Sequence, residues 1–251
     1  FIFKDYLPQV FAEVRETCGI DPQEYADAFQ KTTKEKFSEG RSGAFLYFSA
    51  DQKYIVKTTT KGENQALLDI MQDYLSYLIA NPNSLIVRFL GAHSLTLYGR
   101  VLYFVVMLNV FSKAELSERY DLKGSWVQRH GDNFQRRQKL KSNSAPLYKD
   151  NDLQHKITLN PGVANALHDQ IFRDTAFLSG LGLMDYSLLI GVVRRKFEVM
   201  DRTNSHPITS DTTNLDIFQR DNDGGMHAAV VEGPGTYYMG IIDVLQQWNW
   251  E

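Results

Sequence analysis

The sequence predicts an α+β fold in which antiparallel sheets are packed by helices, and three observations predict it. Glu63 to Ile79 places Leu67, Ile70, Met71, Tyr74 and Leu78 at helical spacing, and a second such stripe runs through Leu167, Ile171, Leu178 and Leu181. Residues 44–57 instead read as two strands joined by a turn at Asp51-Gln52. Three further short apolar runs, 85–91, 93–97 and 101–108, also read as strands, the last two separated by Tyr98-Gly99-Arg100. With 251 residues, 43% of them hydrophobic and 12% aromatic, the chain can bury a full core as one large domain or as two lobes.

Taken in order, Phe1 to Cys18 carries Phe3, Leu7, Val10, Phe11 and Val14 near helical spacing, and Gly19 closes that helix. Asp21-Pro22 opens a second short helix through Phe29, and a polar run from Lys31 to Ser38 leads to the glycines Gly40 and Gly43. The hairpin from Ala44 to Lys57 follows. The helix of residues 63–79 stops at Asn81-Pro82, and the run from Val101 to Leu108, apolar on both faces, belongs at the centre of a sheet. Asn109 marks its exit and is a candidate hinge. Asn160-Pro161 supplies a cap and first-turn proline for the second long helix, Gly180 and Gly182 its stop signals, and Ser187 to Val193 a short buried strand. Met200 to Gly235 is polar and rich in Asp, Asn, Thr and Gly, as a long insertion between two core strands would be.

Composition excludes several classes. Every apolar run is far shorter than the roughly 20 residues a membrane-spanning helix needs, and no signal peptide opens the sequence. Phe1 begins inside a hydrophobic stretch, as an excised piece of a longer chain would. The single cysteine, Cys18, cannot form an internal disulfide, which points to a reducing, cytoplasmic setting. The six histidines stand outside any HExxH or paired-cysteine pattern, against a zinc site. The formal net charge of -3 hides a segregation of charge: Lys123, Arg129, Arg136, Arg137, Lys139, Lys141 and Lys149 face only Asp132 within residues 123–149. Such a segment is either a solvated loop or a surface for phosphate-rich partners. Aromatic residues do not interleave with it as a nucleic-acid stacking platform requires.

Two isolated carboxylates and one lysine carry the chemistry. Asp185 is the lone charge in Leu183-Met184-Asp185-Tyr186-Ser187-Leu188-Leu189-Ile190-Gly191, where a helix delivers it to a loop before a buried strand; a turn cap would leave the same local trace. Asp243 stands alone in the apolar strand from Tyr237 to Leu245, where a charge is costly unless paired or holding a metal. Lys57, in Tyr54-Ile55-Val56-Lys57-Thr58, follows the glycine turn Ser42-Gly43 and one strand. Two strand-borne acids and a strand-borne lysine in this order match phosphoryl-transfer chemistry. No Walker A loop is present, since neither Gly40 nor Gly43 leads into Gly-Lys-Ser/Thr. Glu63 either reaches back to Lys57 or is a first-turn acid favoured by the helix dipole. Tyr120-Asp121-Leu122-Lys123-Gly124-Ser125 suits a backbone turn that brings an ammonium to a phosphate, and Lys149-Asp150-Asn151-Asp152 reads as a local turn.

With these residues laid out, the sequence resembles the phosphatidylinositol phosphate kinases over nearly its whole length. Tyr120-Asp-Leu-Lys-Gly-Ser125, Met184-Asp-Tyr-Ser-Leu-Leu189 and Gly240-Ile-Ile-Asp-Val-Leu245 are similar to that family's three signature motifs, in the family's order, with Ser42-Gly43 and Ile55-Val-Lys57-Thr58 in front. Phe3-Lys-Asp-Tyr6, Phe11 and Gly19-Ile20 are similar to the start of its catalytic domain.

The resemblance implies a two-lobed, protein-kinase-related fold, with residues 1–109 as the N-terminal lobe and residues 110–251 as the C-terminal lobe. It implies transfer of the ATP γ-phosphate to an inositol hydroxyl of a phosphatidylinositol monophosphate in an anionic membrane surface, by a peripherally associated cytoplasmic enzyme that uses Mg²⁺. Lys57 would hold the α- and β-phosphates and Lys123 would sit near the transferred phosphate. Asp185 would orient the attacking hydroxyl or take its proton, and Asp243 would bind Mg²⁺. Ser42 and Gly43 would cover the nucleotide, while Met107, Leu108 and Asn109 would flank adenine. A homodimer is compatible with the resemblance. Met184 and Tyr238-Met-Gly-Ile-Ile are closer to enzymes that act on a monophosphate at the 4- or 5-position than to the endosomal 5-kinases of the 3-phosphate, and the 4-phosphate 5-kinase type is favoured over the 5-phosphate 4-kinase. The family's head-group-reading segment follows the Ile-Ile-Asp motif, and only six residues follow Leu245 here. A phosphoinositide-binding scaffold without activity and a soluble inositol phosphate kinase are the rival readings.

Overall fold

A computed structural model describes residues 1–30, 38–39, 44–111, 116–131, 145–153, 157, 159, 161–194, 225–227 and 235–247. The expected α+β class is what they form: two mostly antiparallel sheets, a small third one, and four helices among the described residues.

The first sheet is built from β1 (Ile2–Tyr6), β2 (Ser38–Glu39), β3 (Phe45–Phe48), β4 (Tyr54–Thr59), β5 (Phe89–Leu97) and β6 (Arg100–Leu108), in the order β1-β5-β6-β4-β3-β2. β6 is internal, as its two apolar faces require, between β5 and β4. The opening of the chain differs from the helix expected over residues 1–18. Ile2–Tyr6 is an edge strand running antiparallel to β5, from Ile2↔Thr96 to Tyr6↔Ala92, and α1 spans only Pro8–Thr17. Pro8 decides this: its fixed φ and missing N–H fit the first helical turn and no later one, so the helix cannot extend back through it. Leu7, at φ 45°, makes the corner.

After α2 (Pro22–Gln30), whose Tyr25 and Phe29 rings pack on Tyr54, the long helix α3 (Lys61–Ala80) begins in a capping box. Thr60 Oγ accepts from Glu63 N at 3.1 Å, and Glu63 Oε2 accepts from Thr60 N at 2.7 Å. Glu63 is therefore spent on the cap rather than on Lys57.

The second sheet contains β7 (Glu118–Leu122), β8 (Leu147–Lys149), β10 (Ser187–Arg194), β11 (Gly225–His227) and β12 (Gly235–Ile242), in the order β11-β12-β10-β7-β8, with only the β7–β8 pair parallel. A two-stranded sheet joins β9 (Leu183–Met184) to β13 (Gln246–Gln247). Helix α4 (Pro161–Gly180) buries the stripe Leu167, Gln170, Asp174 and Leu178. Most of the polar insertion and all of Trp248 to Glu251 lie outside the described residues.

The strand expected over residues 85–91 is two different things. Phe89 onward belongs to β5, with an irregularity between Phe89 and Gly91, whereas 85–87 leave the first sheet and pair with β12 of the second. Ile241 N donates to Leu85 O at 2.8 Å and Val87 N donates to Ile241 O at 2.9 Å. The apolar run supplied the right residues but not the choice of partner. The sheets are joined a second time by the stretch after β6, where Val110 and Phe111 lie on glycines of β12 and β10. A Cβ on Gly240 would sit 2.6 Å from Val110 Cγ2, and one on Gly191 would sit 2.6 Å from Phe111 Cε1. Gly240 of the Gly-Ile-Ile-Asp motif is thus a seat for the connecting chain.

Candidate active site

Lys57 lies on β4 opposite Val105 of β6 and Leu46 of β3, so it shares a sheet face with Ile55, Val105 and Met107. Its Nζ is 2.6 Å from Asp243 Oδ1. Asp243 is not inside a strand, as its apolar surroundings suggested. It is the residue after β12, at φ 59°, and its side chain is 50% exposed while Val244 and Leu245 are buried. The left-handed backbone turns the carboxylate out of the apolar run; Asp is among the few non-glycine residues that take this conformation at low cost.

Asp185 repeats that geometry. It follows β9 at φ 60° and is 47% exposed, and Lys123 Nζ sits 2.7 Å from its Oδ1 and 2.8 Å from its carbonyl oxygen. The repetition follows from the ladders. Ser187↔Ile242 belongs to the β10–β12 pair and Met184↔Gln246 to the β9–β13 pair. Residues 185–186 and 243–245 are thus facing crossovers between the same two ladders, each led by a left-handed aspartate. The result is two Lys–Asp pairs at one edge, drawn from β4, the end of β7, and both crossovers. Half-exposed ion pairs contribute little to stability, about 0–1 kcal/mol each. Their importance lies in placing two ammonium groups and two carboxylates where a polyphosphate and a cation can replace the internal partners.

Lys123 is held from behind by the polar knot that had looked like a local turn. Asp150 Oδ1 accepts from Lys123 N at 2.9 Å and Gly124 N at 2.8 Å, and Asp150 Oδ2 accepts from Arg129 Nε at 2.6 Å. Arg129 also donates to the Asp121 carbonyl and carboxylate. Burial by itself would raise the Asp150 carboxyl, but the Arg129 guanidinium and the surrounding N–H groups outweigh it and hold the group below its ordinary value. Because the folded-state pKa is depressed, the stabilisation is present above the unfolded carboxyl's titration and is lost as pH falls through the folded value. Asp150→Asn is expected to cost about 2 kcal/mol at neutral pH by removing one of the two carboxylates that pair with Arg129, the other being Asp121. Thermal melts of both proteins should show the difference narrowing in acid; an undiminished difference there would contradict the ionic origin.

Met107, Leu108 and Asn109 close β6. Along the ladder, Tyr54↔Leu108 lies three residues from Lys57↔Val105, about 10 Å away. Leu108 N donates to Arg88 O at 2.9 Å and Asn109 N to Lys53 O at 2.9 Å, and the Asn109 side chain donates to Gln52 O at 2.7 Å. Asn109 thus ties the end of the strand to the β3–β4 turn and Leu108 ties it to Arg88 ahead of β5, which leaves Met107 as the member of the trio on the Lys57 face. Ser42, Gly43, Arg136, Arg137, Lys139 and Lys141 lie outside the described residues.

Among the described residues no three His, Cys, Asp or Glu side chains converge into a metal cage. Mg²⁺ does not require one, since it retains waters and takes one or two carboxylates together with substrate phosphates. The half-exposed Asp243, with one oxygen on Lys57, fits that mode. No described helix is long and apolar enough to cross a membrane.

A family model described as phosphatidylinositol-4-phosphate 5-kinase matches residues 27–251. A probable phosphatidylinositol phosphate kinase of Dictyostelium discoideum is 41% identical over 204 residues, covering 76% of this chain and 28% of that protein. Phosphatidylinositol 4-phosphate 5-kinase 7 of Arabidopsis thaliana is 36% identical over 196 residues, covering 76% of this chain and 25% of its own. Human phosphatidylinositol 5-phosphate 4-kinase type-2 alpha is 35% identical over 198 residues, covering 76% of this chain and 48% of its own. The chain thus spans from a quarter to about half of the length of these relatives. The match takes in the residues from β4 to β13 that build both Lys–Asp pairs, and on it the chain belongs to the phosphatidylinositol-4-phosphate 5-kinase family.

Proposed function

We propose that the chain is the catalytic part of an ATP-dependent lipid kinase that phosphorylates an inositol hydroxyl of a phosphatidylinositol monophosphate. The observation that carries this reading is the adjacency of the Lys57–Asp243 and Lys123–Asp185 pairs on facing crossovers. Phosphoryl transfer needs positioning and charge neutralisation more than covalent chemistry, and four charged groups, one within a strand and three just beyond strand ends, supply both. Lys57 holds the α- and β-phosphates, with Met107 beside adenine. Asp243 holds Mg²⁺, which when bound neutralises phosphate charge. Lys123 attends the transferred phosphoryl group, and Asp185 aligns the attacking hydroxyl and accepts its proton. The two sheets serve as two lobes of protein-kinase type, divided after Asn109, since the strands of the first come from residues 2–108 and those of the second from residues 118–242.

The favoured substrate is phosphatidylinositol 4-phosphate, giving the 4,5-bisphosphate. The 5-phosphate isomer is the second reading, because relatives of both types match at similar identity. Arg136, Arg137, Lys139 and Lys141 supply peripheral contact with an anionic membrane, about 1 kcal/mol for each charge near the surface, whereas Arg129 is paired with Asp150 and Lys149 is buried. Purified protein given Mg·ATP and vesicles carrying one or the other monophosphate tests the reading. Labelled bisphosphate from the 4-phosphate vesicles, at least tenfold faster than from the 5-phosphate vesicles, is the expected result. The reverse preference selects the 4-kinase, and binding to vesicles without turnover selects a scaffold.

A further inference from the structure

Asp174 has no place in the chemistry above, yet it is 0% exposed at the centre of the molecule. Its Oδ1 accepts from Tyr77 Oη at 2.7 Å and from Gln170 Nε2 at 2.8 Å, and its Oδ2 accepts from Leu85 N at 2.6 Å. All three donors are neutral. A buried carboxylate is costly even when hydrogen-bonded, so a site that needed only packing would hold an apolar residue. Three donors converging from different elements require a group that only accepts, and a carboxylate is the side chain that does so. Burial and then the adjacent carboxylate push the Tyr77 phenol up, keeping it a donor, while the Tyr77 ring stacks on Phe177 of α4 at 4.0 Å.

These contacts converge on the short segment that leaves the first sheet to pair with the second. Leu85, whose N–H binds Asp174, accepts from Ile241 N at 2.8 Å, and Ile241 lies two residues before Asp243. The next turn of α3 holds the other side of the segment, because Tyr74 Oη donates to Val87 O at 2.6 Å and accepts from Phe89 N at 3.1 Å. Phe89 opens β5, which pairs with β6 and through it with β4 and Lys57. The Lys57–Asp243 pair therefore joins two sheets whose mutual placement passes through residues 85–87.

We infer that Asp174 is a positioning residue for Asp243, fixing the Leu85–Val87 segment against β12 and so setting where the Asp243 carboxylate stands relative to Lys57. The inference rests on the metal-binding reading of Asp243 for its effect on activity, but not for its mechanical part. Asp174→Asn places an amide where three donors meet, so at least one of them loses its acceptor.

The test is residue-resolved hydrogen exchange together with the Mg²⁺ dependence of initial rates, on purified Asp174→Asn, Tyr77→Phe and Asp243→Asn proteins. In Asp174→Asn the Ile241 and Val87 amides should exchange at least tenfold faster while amides of the β1–β5 ladder keep their protection, and half-saturating Mg²⁺ should rise about tenfold. Tyr77→Phe, which removes one donor and keeps the carboxylate, should shift both in the same direction by a smaller factor, and decides the matter if Asp174→Asn does not fold. Unchanged exchange at Ile241, or a rise shared equally by the β1–β5 ladder, overturns the inference, because the residue would then serve stability alone. Faster exchange with unaltered Mg²⁺ dependence also overturns it, provided Asp243→Asn does alter that dependence. If Asp243→Asn leaves it unaltered, the metal reading fails, and exchange at Ile241 alone decides for or against the staple.

Discussion

Asp243→Asn is expected to lower turnover on phosphoinositide vesicles by about 10³-fold, the upper range for deleting one preorganised electrostatic partner of a developing charge. The fold should survive. Asparagine tolerates the φ of 59° at this position almost as well as aspartate, and the lost ion pair with Lys57 is half-exposed and contributes little. The amide keeps the shape and removes the charge proposed to draw Mg²⁺, so raising Mg²⁺ should restore only part of the rate. Circular dichroism and a thermal melt establish folding, and initial rates over a Mg²⁺ series give the effect. A folded Asp243→Asn protein with wild-type rates would remove Asp243 from the site.

Asp185→Asn and Lys57→Met should fail in different ways if, as proposed, one residue acts on the acceptor hydroxyl and the other on the nucleotide. Lys57→Met deletes the ammonium proposed to hold the phosphates, so nucleotide binding, lipid phosphorylation and any slow ATP hydrolysis should fall together. Asp185→Asn leaves that ammonium in place and should bind Mg·ATP near wild-type affinity while lipid phosphorylation drops by about 10²-fold or more. Asp185 pairs with Lys123 rather than with Lys57, which is the structural basis for the separation. Calorimetry with nucleotide beside initial rates on vesicles distinguishes the two. Loss of ATP binding in Asp185→Asn as severe as its loss of catalysis would assign that carboxylate to the metal or to the fold.

Asp185, Asp243 and Lys57 were legible because each stands within a short apolar neighbourhood that makes a charge conspicuous, and Lys123 because its Lys123-Gly124-Ser125 turn resembles a family motif. Their conformations were not: nothing local distinguishes an aspartate buried in a strand from one turned out at a left-handed corner, and Asp243 was read as the former. The long helices were legible from periodicity and caps, and the strands of the hairpin from turn residues. What escaped depends on partners far along the chain. Asp150 looked like a turn residue because the N–H groups it accepts from lie at 123 and 124. Leu85 to Val87 read as one strand with residues 88–91 because an apolar run does not say which ladder it joins. Ile2–Tyr6 carried apolar residues at a spacing that fits a helix, and only Pro8 argued for a break.

The β10–β12 pair has two ends, and both candidate aspartates stand at the same one. Ser187↔Ile242 lies beside both aspartates, while Arg194↔Gly235 lies seven residues up the ladder, about 24 Å away. The polar insertion joins the strands at that far end. In general, each doubling of a loop's length adds only about 0.6 kcal/mol to the cost of closing it. A change in the length of this connection, outside Gly225–His227, which pair with β12, therefore acts at the end of the eight-residue ladder opposite to the two aspartates.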